Sequence, residues 1–376
     1  MPDNSPPFTT VVIASSLKPV TDVRAWGKLG ISLRETSKYK VNIIGFSAKK
    51  IEKSNRVNFY SSFAYNRSRW NRLLALARFT QLLLKIKPQL LICCTCEYLP
   101  VARFFKKQLG YKLIYDVQEN YVANLELNPS LDEKQRKQIA TIIRRMEQPN
   151  GIDLFLLAES CYQLEMPEKT PFLVLENKFS GSIPQISARN YSHKKQFKFL
   201  ISGTLTPAFG TVEAITWYRK IRNSYPGSSL RIIGHVPLDF FRKVIDETVA
   251  NEPSIFLELS KIPIDHSRLL EAYSGVDFLL LPYQEHAAIQ YKMPTKLFEA
   301  AALGIPVLHS PNSHWETFSK VHSSGSPIDF SENAFSVANY KKAVSKTYFT
   351  SSPDPSLLWS SQSQKFIEAT SFLLEK

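Results

Sequence analysis

The sequence contains little glycine and no glycine-rich phosphate loop. Only 13 of its 376 residues are glycine, about half the usual share. Neither G-x-G-x-x-G nor G-x-x-x-x-G-K-[ST] occurs, and these loops bring backbone N–H groups against the phosphates of dinucleotides and nucleoside triphosphates. The sequence therefore argues against an ordinary NAD-binding Rossmann domain and against a P-loop NTPase.

Cysteine is also rare, and its spacing does not suit a metal site. Of the four cysteines, Cys93, Cys94 and Cys96 are close together and Cys161 stands apart. A metal site would be expected to use paired Cys-x-x-Cys knuckles or nearby histidines, and no Asp-x-Asp triad occurs either. We therefore predict no metal, and we expect the clustered cysteines to pack in a buried strand as small apolar side chains.

No apolar run is long enough to cross a bilayer. A spanning helix needs about 18 to 20 apolar residues, and the runs here are short pieces such as residues 278–282. The first ten residues carry Pro, Asp and Asn where a signal peptide would need a basic segment and an apolar core. The sequence predicts a cytoplasmic protein, with any membrane contact peripheral.

The composition is that of a globular chain with more than one domain. Hydrophobic residues make up 44% and aromatic residues 12%, which excludes a disordered chain, and the length suits two domains. Short β-rich runs alternate with helical stretches, the pattern of parallel sheets with crossover helices. Strands are predicted at 10–14, 41–46, 90–94, 112–116 and 154–158, and again at 198–202, 229–233, 255–257, 278–281 and 306–310.

These runs predict an α/β protein with two Rossmann-like, doubly wound domains. We place the first at residues 1–178 and the second at 179–356, because a polar stretch with Gly and Pro interrupts the pattern at 177–196. A helical run at 357–376 is expected to pack back on the first domain. Ligands of such sheets bind outside the carboxyl ends of the strands, so a cleft between the domains would suit a two-substrate enzyme.

Positive charge is concentrated in the first half. The net charge is +14, and residues 1–178 hold 27 Lys and Arg against 16 Asp and Glu. The densest part runs from Arg67 to Arg78, where helical spacing puts Leu73, Leu76 and Phe79 on or near one face. This region suits an anionic surface such as phospholipid headgroups or a lipid pyrophosphate, and the alternative is a solvated helix face. Nucleic acid is not expected, because no nucleic-acid-binding motif is present.

The most informative segment runs from residue 279 to residue 308. A buried strand leads into a loop, Pro294 and Thr295 start a helix, and Gly304 ends it. The free N–H groups of the helix start, with Lys296 beside them, suit a pyrophosphate. Glu299 lies one turn further on the side of Thr295 and could accept both hydroxyls of a ribose; the alternative is a solvated helix charge.

This segment resembles the donor site of the GT-B glycosyltransferases, specifically the family 4 type. Residues 294–308, PTKLFEAAALGIPVL, look like that family's P-[NT]-K-[LI]-x-E…G-x-P-V pattern. Residues 202–210 resemble the first donor-domain loop, 230–234 the next strand with its terminal glycine, and 269–282 the segment before the donor helix. Residues 113–121 and 173–177 are similar to acceptor-domain and hinge segments, so the likeness covers nearly the whole chain.

The chain departs from the family pattern at two positions. Many members carry a second glutamate eight residues before the one matched by Glu299, and this chain has Tyr291 there, with Glu285 as a substitute carboxylate. Where relatives have Asp-x-His-Glu, this chain reads Asp116-Val-Gln118-Glu119.

The resemblance implies a glycosyltransferase that moves a sugar from a nucleoside-diphosphate sugar to a hydroxyl acceptor. The reaction would be retaining and independent of metal or other cofactors, on a lipid-linked or polysaccharide acceptor at the inner membrane face. Donor binding is expected at Gly203, Thr204, Gly234, Glu285, Tyr291, Thr295, Lys296, Leu297 and Glu299.

Acceptor residues are expected at the same edge of the first sheet. Asp22 and Arg24 follow the first strand, and Asp116, Gln118 and Glu119 follow the fourth. Either carboxylate of the second group could orient or deprotonate an acceptor hydroxyl. The alternatives are a turn or helix cap for Asp116 and a surface ion pair for Arg24.

Two other functions remain open at this point. A degenerate, non-catalytic protein that binds a sugar nucleotide or a partner would fit the Tyr291 and Gln118 replacements. A sugar-nucleotide epimerase or a phosphorylase would share the two-domain architecture, but the sequence shows neither the additional carboxylates nor the cofactor lysine that these enzymes need.

Overall fold

The chain folds as two α/β units. The computed structural model describes residues 8–47, 56–61, 69–331 and 336–376. Unit 1 consists of Met1–Ser180 and Trp359–Lys376, and unit 2 of Gly181–Leu358. Arg67, the expected start of the basic segment, lies outside the described residues, as do residues 1–7.

Unit 1 is built on a parallel sheet. Its described strands pair in the order β3-β2-β1-β4-β5-β6-β7, and every pairing is parallel. β1 lies near the middle of the sheet and its early residues are buried on both faces, as expected when helices cover both sides of a parallel sheet. The strands are β1 (Thr9–Pro19), β2 (Tyr39–Phe46), β3 (Val57–Ser61), β4 (Leu90–Cys93), β5 (Lys112–Val117), β6 (Leu154–Leu157) and β7 (Phe172–Val174).

The helices of unit 1 begin and end at recognisable residues. Asp132 and Gln135 form a capping box at the start of α5, and Gly110 ends α3 with φ +71°. The helices are α1 (Ile31–Glu35), α2 (Arg69–Ile86), α3 (Leu99–Leu109), α4 (Tyr121–Asn124), α5 (Glu133–Met146), α6 (Tyr162–Glu165) and, returning from the far end of the chain, α13 (Ser360–Glu375); a π-helix at Ala25–Gly30 precedes α1.

Unit 1 has a hydrophobic core on each face of its sheet. Val12 and Ala14 of β1 pack on one face with Phe79 of α2. Val11 and Ile13 pack on the other face with Leu29 and Leu33 and with two residues of the C-terminal segment, Trp359 and Phe366. Alternate residues of the same strand therefore serve different cores.

Unit 2 repeats the plan with a smaller parallel sheet. Its described strands pair in the order β10-β9-β8-β11-β12-β13, again in parallel throughout. The strands are β8 (Lys198–Thr204), β9 (Ser229–His235), β10 (Ile255–Ser260), β11 (Phe278–Leu281), β12 (Val307–His309) and β13 (Gly325–Pro327). The helices are α7 (Thr211–Ser224), α8 (Asp239–Thr248), α9 (His266–Ala272), α10 (Thr295–Leu303), α11 (Ser313–Val321) and α12 (Val337–Ser345).

The prediction of an α/β protein with two parallel-sheet units is confirmed. Each of the ten predicted strands overlaps a strand of the structure. The sequence pattern did not predict β3, β7 and β13, which lie at the edges of the sheets.

The clustered cysteines lie in the interior, as expected. Cys93, Cys94 and Cys96 are buried, and Cys161 is partly exposed. Burial raises the thiol pKa of all three buried cysteines, because the low-dielectric interior disfavours the thiolate. Within the described part of the chain, no helix is both long and apolar enough to cross a membrane.

Candidate functional site

Two glycines let the backbone and a lysine approach closely at the carboxyl edge of the unit 2 sheet. Gly203, near the end of β8, has φ +101°, and a Cβ there would lie 2.8 Å from Nζ of Lys296. Gly234, its partner on β9, would place a Cβ 2.1 Å from the carbonyl oxygen of Gly203. A side chain at Gly203 would displace the Lys296 ammonium, and one at Gly234 would displace the Gly203 carbonyl group. Gly234 therefore allows close strand packing, and Gly203 leaves room for the Lys296 ammonium.

Helix α10 starts beside this edge without a side-chain cap. Pro294 is the N-cap residue and makes no side-chain hydrogen bond to the first turn of the helix. The first N–H groups of a helix have no partner within the helix and carry a partial positive charge. Thr295 and Lys296 lie in this first turn and are half-buried. The end of α10 can therefore attract an anion.

Lys296 is positioned by an aromatic side chain of the preceding loop. Its Nζ donates a hydrogen bond to the hydroxyl of Tyr283 at 3.2 Å. The Tyr283 ring packs against Phe209, with centroids 4.5 Å apart, and against Trp315. These contacts fix the ring, and the ring in turn holds the ammonium over Gly203.

Glu299, one turn further along α10, is 7% exposed and is held from two sides. Its Oε1 lies 2.7 Å from Nε2 of His266, and its Oε2 accepts a hydrogen bond from the Tyr273 hydroxyl at 3.4 Å. Burial, and then the charge of Glu299, raise the pKa of Tyr273, so this hydroxyl stays protonated. A carboxylate has about four acceptor positions, so Glu299 retains capacity to accept ligand hydroxyls.

His266 is a site residue that sequence reasoning missed. It opens the short helix α9, and 26% of its side chain is exposed. A lone histidine in the mixed segment 261–268, KIPIDHSR, matches no motif, so the sequence gives no signal for it.

The loop at residues 282–294 carries two other predicted donor residues, Glu285 and Tyr291, and is anchored to α11. Asn312 donates to the carbonyl oxygen of Gln290, and the Trp315 indole donates to that of Lys292. On this loop Glu285 is exposed, and Tyr291 is exposed with its ring edge-on to His314, centroids 5.6 Å apart. The structure thus places both residues on the surface of a tethered loop.

The remaining predicted donor residues differ in what they can offer. Thr204, at the end of β8, is exposed, so its hydroxyl can meet a ligand. Leu297 is fully buried and its N–H donates to the carbonyl oxygen of Pro294. This placement corrects the expectation of ligand contact at Leu297, because both its side chain and its N–H are engaged within the protein.

In unit 1 Arg24 and Asp116 form a buried ion pair. The Arg24 Nε and Nη2 donate to the Asp116 carboxylate at 2.7 to 3.0 Å, and Nη1 donates to the carbonyl oxygen of Leu175 at 2.8 Å. Arg24 is 3% and Asp116 0% exposed. Burial alone would lower the pKa of the Arg24 guanidinium, but the Asp116 carboxylate outweighs it and raises that pKa.

This geometry argues against the expected roles of the ion-pair residues and their neighbours. Asp116 is closed to an acceptor hydroxyl and also accepts from Gln118 Nε2 at 2.8 Å. Arg24 is no surface residue, because its charge is neutralised inside the unit. Asp22 accepts from the N–H groups of Arg24 and Ala25, so its carboxylate caps the π-helix.

Glu119 is a predicted acceptor-side carboxylate that keeps some exposure, as Asp22 does. It is half-buried just after β5, and its Oε2 accepts from Asn124 Nδ2 at 2.9 Å. The unit 1 residues predicted together therefore separate into the buried Arg24–Asp116 pair and three half-buried side chains, of which Asp22 accepts from backbone N–H groups, Gln118 donates to Asp116 and Glu119 accepts from Asn124. Across the described residues, no group of three or more His, Cys, Asp or Glu side chains is arranged to hold a metal ion.

Comparison with known proteins gives a match in structure but not in sequence. No family profile and no curated protein sequence matches the chain. Sucrose-phosphate synthase from Thermosynechococcus elongatus superposes with a TM-score of 0.64 at 12% identity, over 98% of this chain and 97% of that one. HepE from Anabaena, solved with UDP and glucose, gives a TM-score of 0.61 at 11% identity, over 96% and 99%.

The same fold also occurs in an enzyme of another class. A UDP-N-acetylglucosamine 2-epimerase superposes with a TM-score of 0.55 at 12% identity, over 97% of this chain and 95% of that one. Identities this low carry the fold and not the reaction. The chain therefore has the GT-B fold, and its chemistry has to be argued from the site.

Proposed function

We propose that this chain, with its GT-B fold, is a glycosyltransferase that uses a nucleoside-diphosphate sugar as donor. The proposal places the nucleotide at the carboxyl edge of the unit 2 sheet, where α10 begins. In parallel α/β sheets ligands bind outside this edge. The observation that carries the proposal is the arrangement at the start of α10. There the Lys296 ammonium lies over Gly203, and the Glu299 carboxylate is fixed by hydrogen bonds one turn further on.

The two charged residues suit the two ends of a nucleoside diphosphate. Lys296 and the uncapped N–H groups of α10 would bind the diphosphate, whose negative charge grows as the glycosidic bond breaks. Cationic and N–H groups already aimed at that charge lower the barrier. Glu299, with two acceptor oxygens fixed by His266 and Tyr273, would accept the ribose hydroxyls. The Thr204 hydroxyl would add a donor near the phosphates.

We further propose transfer to a hydroxyl group with retention of configuration and without a metal ion. The acceptor oxygen would form the new bond on the face from which the nucleoside diphosphate leaves, and a donor phosphate oxygen would take the hydroxyl proton. On unit 1, Glu119 is the carboxylate that we assign to binding the acceptor. We propose a glycan or lipid-linked acceptor, reached from the cytoplasm.

UDP-glucose is the first donor to test, because the HepE structure contains UDP and glucose. UDP-, GDP-, dTDP- and ADP-sugars should be compared by thermal unfolding of the whole chain. A ligand at about 100 times its Kd stabilises the native state by about 2.7 kcal/mol, which would raise the unfolding temperature of a unit of this size by roughly 5 to 10 °C. Release of nucleoside diphosphate, measured in the same samples, reports turnover.

The matched variants are Glu299→Gln and Glu247→Gln. Glu299→Gln removes the charge at the proposed ribose site, whereas Glu247 is exposed on α8. We expect Glu247→Gln to respond to the nucleotide as the wild type does, and Glu299→Gln to lose the response while unfolding at a similar temperature without ligand. If no nucleotide shifts the wild type and none binds in calorimetry, the proposal is wrong.

A second function, nucleotide-sugar binding without turnover, is favoured by Gln118. Its amide donates to the buried Asp116, and an amide cannot serve as a general acid or base at neutral pH. A nucleotide-dependent shift without release of nucleoside diphosphate, across a range of saccharide acceptors, would support this function. Conversion of UDP-N-acetylglucosamine to an isomer with UDP still attached would instead indicate an epimerase.

A further inference from the structure

Helix α2 of unit 1 exposes a stripe of large apolar side chains. Trp70 is 77% exposed, Leu73 60%, Leu74 52% and Leu84 42%. At 100° per residue these positions, with the exposed Ala77, lie within an arc of about 100°. We call these five residues the outer stripe. The sequence pattern placed Leu73 on or near one face with Leu76 and Phe79, but Leu73 is exposed to solvent.

The core does not account for this stripe, because it uses the opposite side of the helix. Ala75, Phe79, Leu82 and Leu83 are buried, and Phe79 stacks on Tyr98 with ring centroids 4.2 Å apart. A surface helix normally pairs one apolar face with one polar face. A helix that is apolar on two sides and buried on only one is typical of a surface that meets another apolar phase.

Basic side chains flank the outer stripe. Arg78 and Lys85 are exposed and, at 100° per residue, lie within about 40° of the Leu74 edge of the stripe. Arg72 is also exposed but lies on the side of Phe79 and Leu83, and α2 contains no Asp or Glu. The surrounding first 178 residues carry 27 Lys and Arg against 16 Asp and Glu. An apolar stripe with a basic border and an exposed tryptophan is the composition of helices that lie in the interface of an anionic membrane.

We propose that the outer face of α2 docks unit 1 onto an anionic lipid bilayer. The leucines of the outer stripe would enter the acyl boundary, Trp70 would lie at headgroup depth, where its ring and N–H are both accommodated, and Arg78 and Lys85 would meet lipid phosphates. This inference concerns unit 1 and does not depend on the chemistry proposed for unit 2.

A bilayer fits this face better than a second copy of the chain. Self-association through the outer stripe would bring Arg78 and Lys85 of one copy near those of another, and like charges oppose such contact. An anionic bilayer reverses the sign of that interaction. It also offers an apolar layer that a single helix can enter without a complementary groove.

Trp70 provides a direct spectroscopic test. Of the five tryptophans, Trp217, Trp315 and Trp359 are buried and Trp26 is half-buried, so a blue shift of emission on binding would come chiefly from Trp70. The full chain should be mixed with phosphatidylcholine vesicles with and without phosphatidylglycerol, and the bound fraction measured by sedimentation. We expect binding and a blue shift with phosphatidylglycerol only, and no shift in Trp70→Phe.

Two sets of variants separate the apolar from the charged contribution. Trp70→Ser, Leu73→Ser and Leu74→Ser combined should weaken vesicle binding at least about tenfold. Each of Arg78→Gln and Lys85→Gln should weaken it roughly fivefold, with the effect falling in high salt. The matched control combines Leu164→Ser, Phe256→Ser and Phe372→Ser, which are equally exposed elsewhere, and should bind as the wild type does.

Three results would overturn the proposal. One is a wild type that stays in the supernatant with phosphatidylglycerol vesicles at low salt. Another is that the variant combining Trp70→Ser, Leu73→Ser and Leu74→Ser binds vesicles as strongly as the triple control variant. The third is a concentration-dependent dimer in light scattering without lipid that the same triple variant abolishes, since that would identify a second copy as the occupant.

Discussion

At the scale of single residues, His266 decides how Glu299 is presented. Its imidazole holds Oε1 of the carboxylate at 2.7 Å, which restricts the rotamer of Glu299. We predict that His266→Phe weakens binding of a nucleoside diphosphate about tenfold, because a hydrogen bond to a charged group contributes about 1.5 kcal/mol. His266→Gln, which can donate from its amide, should retain most of the affinity. Calorimetric Kd values would measure both.

Inorganic pyrophosphate separates positioning from general damage in this experiment. Pyrophosphate has no ribose and would contact the Lys296 end of the site alone, so its affinity should be equal in the wild type and in His266→Phe. Equal losses for pyrophosphate and nucleotide would mean that His266 supports the fold of the site rather than Glu299.

His309 makes the stability of unit 2 depend on pH. It is fully buried at the end of β12, with its Nδ1 against the carbonyl oxygen of Ser310 and its Nε2 against the Ser319 hydroxyl. Burial lowers its pKa from 6.5 to about 4. The neutral ring therefore stabilises the folded state above pH 6.5, and this contribution is lost as the pH falls toward 4, by about 2 kcal/mol between pH 7 and pH 5.

The measurement is the free energy of unfolding in urea at several pH values. His309→Gln should be less stable at neutral pH and should show a flatter decline on acidification. His193→Gln, at an exposed position, should keep the wild-type slope. A wild-type slope in His309→Gln would show that other groups cause the acid sensitivity.

Residues of the candidate site could be proposed from the sequence where they belong to a continuous motif. Lys296 and Glu299 share one helix, so their spacing alone places them on neighbouring turns. The contact between His266 and Glu299 joins residues 33 positions apart, and that between Arg24 and Asp116 residues 92 apart. Sequence position puts Arg24 and Asp116 at the same edge of the sheet but does not show that the two side chains form a buried ion pair.

At the scale of elements, the Arg24–Asp116 pair ties the start of the π-helix to β5. We predict that Asp116→Asn costs about 3 to 5 kcal/mol of unfolding free energy, because it leaves the Arg24 charge buried without its partner. Arg24→Met combined with Asp116→Leu should cost less than the two single changes together, since no buried charge then remains. Urea unfolding of Arg24→Met, Asp116→Leu and the double variant, compared with the wild type, forms a double-mutant cycle.

An exposed ion pair in the same unit is the natural control. Lys137 and Glu133 of α5 are paired at i, i+4 with 75% and 79% of their side chains exposed. Glu133→Gln should change stability by under about 0.5 kcal/mol. A loss for Asp116→Asn no larger than this would mean that the Arg24 charge finds water or another acceptor.

Strands were predictable where their own residues are apolar or β-branched. The central strands are runs of apolar and β-branched residues because helices cover both of their faces. At the edges this signal fades: β7 is only partly buried, and β13 consists of Gly, Ser and Pro, residues with low strand propensity. The edge strands are thus specified by their neighbours rather than by their own residues.

At the scale of the whole molecule, the chain leaves unit 1 and returns to it with its last helix. Phe366 of α13 is fully buried in the unit 1 core, whereas Phe372 of the same helix is exposed. We predict that Phe366→Ala costs about 3 to 5 kcal/mol of stability and that Phe372→Ala costs under about 1 kcal/mol. Thermal unfolding of both variants would measure the difference, and equal effects would contradict the packing of α13 in that core.

The molecule keeps a widespread fold with a sequence that matches no family profile. Identities of 11% and 12% with proteins of the same fold show how little of the fold depends on particular side chains. Buried apolar patterning can be satisfied by many residues, so the fold could be predicted from the pattern. Ligand identity depends on a few specific contacts, and the sequence offers candidates for these mainly in residues 294–304.

The burial of three of the four cysteines also makes the protein a good subject for single-site labelling. Alkylating reagents attack the thiolate of an accessible cysteine, and Cys93, Cys94 and Cys96 offer neither accessibility nor a lowered pKa. Only Cys161, beside α6 in unit 1, is partly exposed. A maleimide dye should therefore attach to the native wild-type chain at one known position, without any prior removal of cysteines.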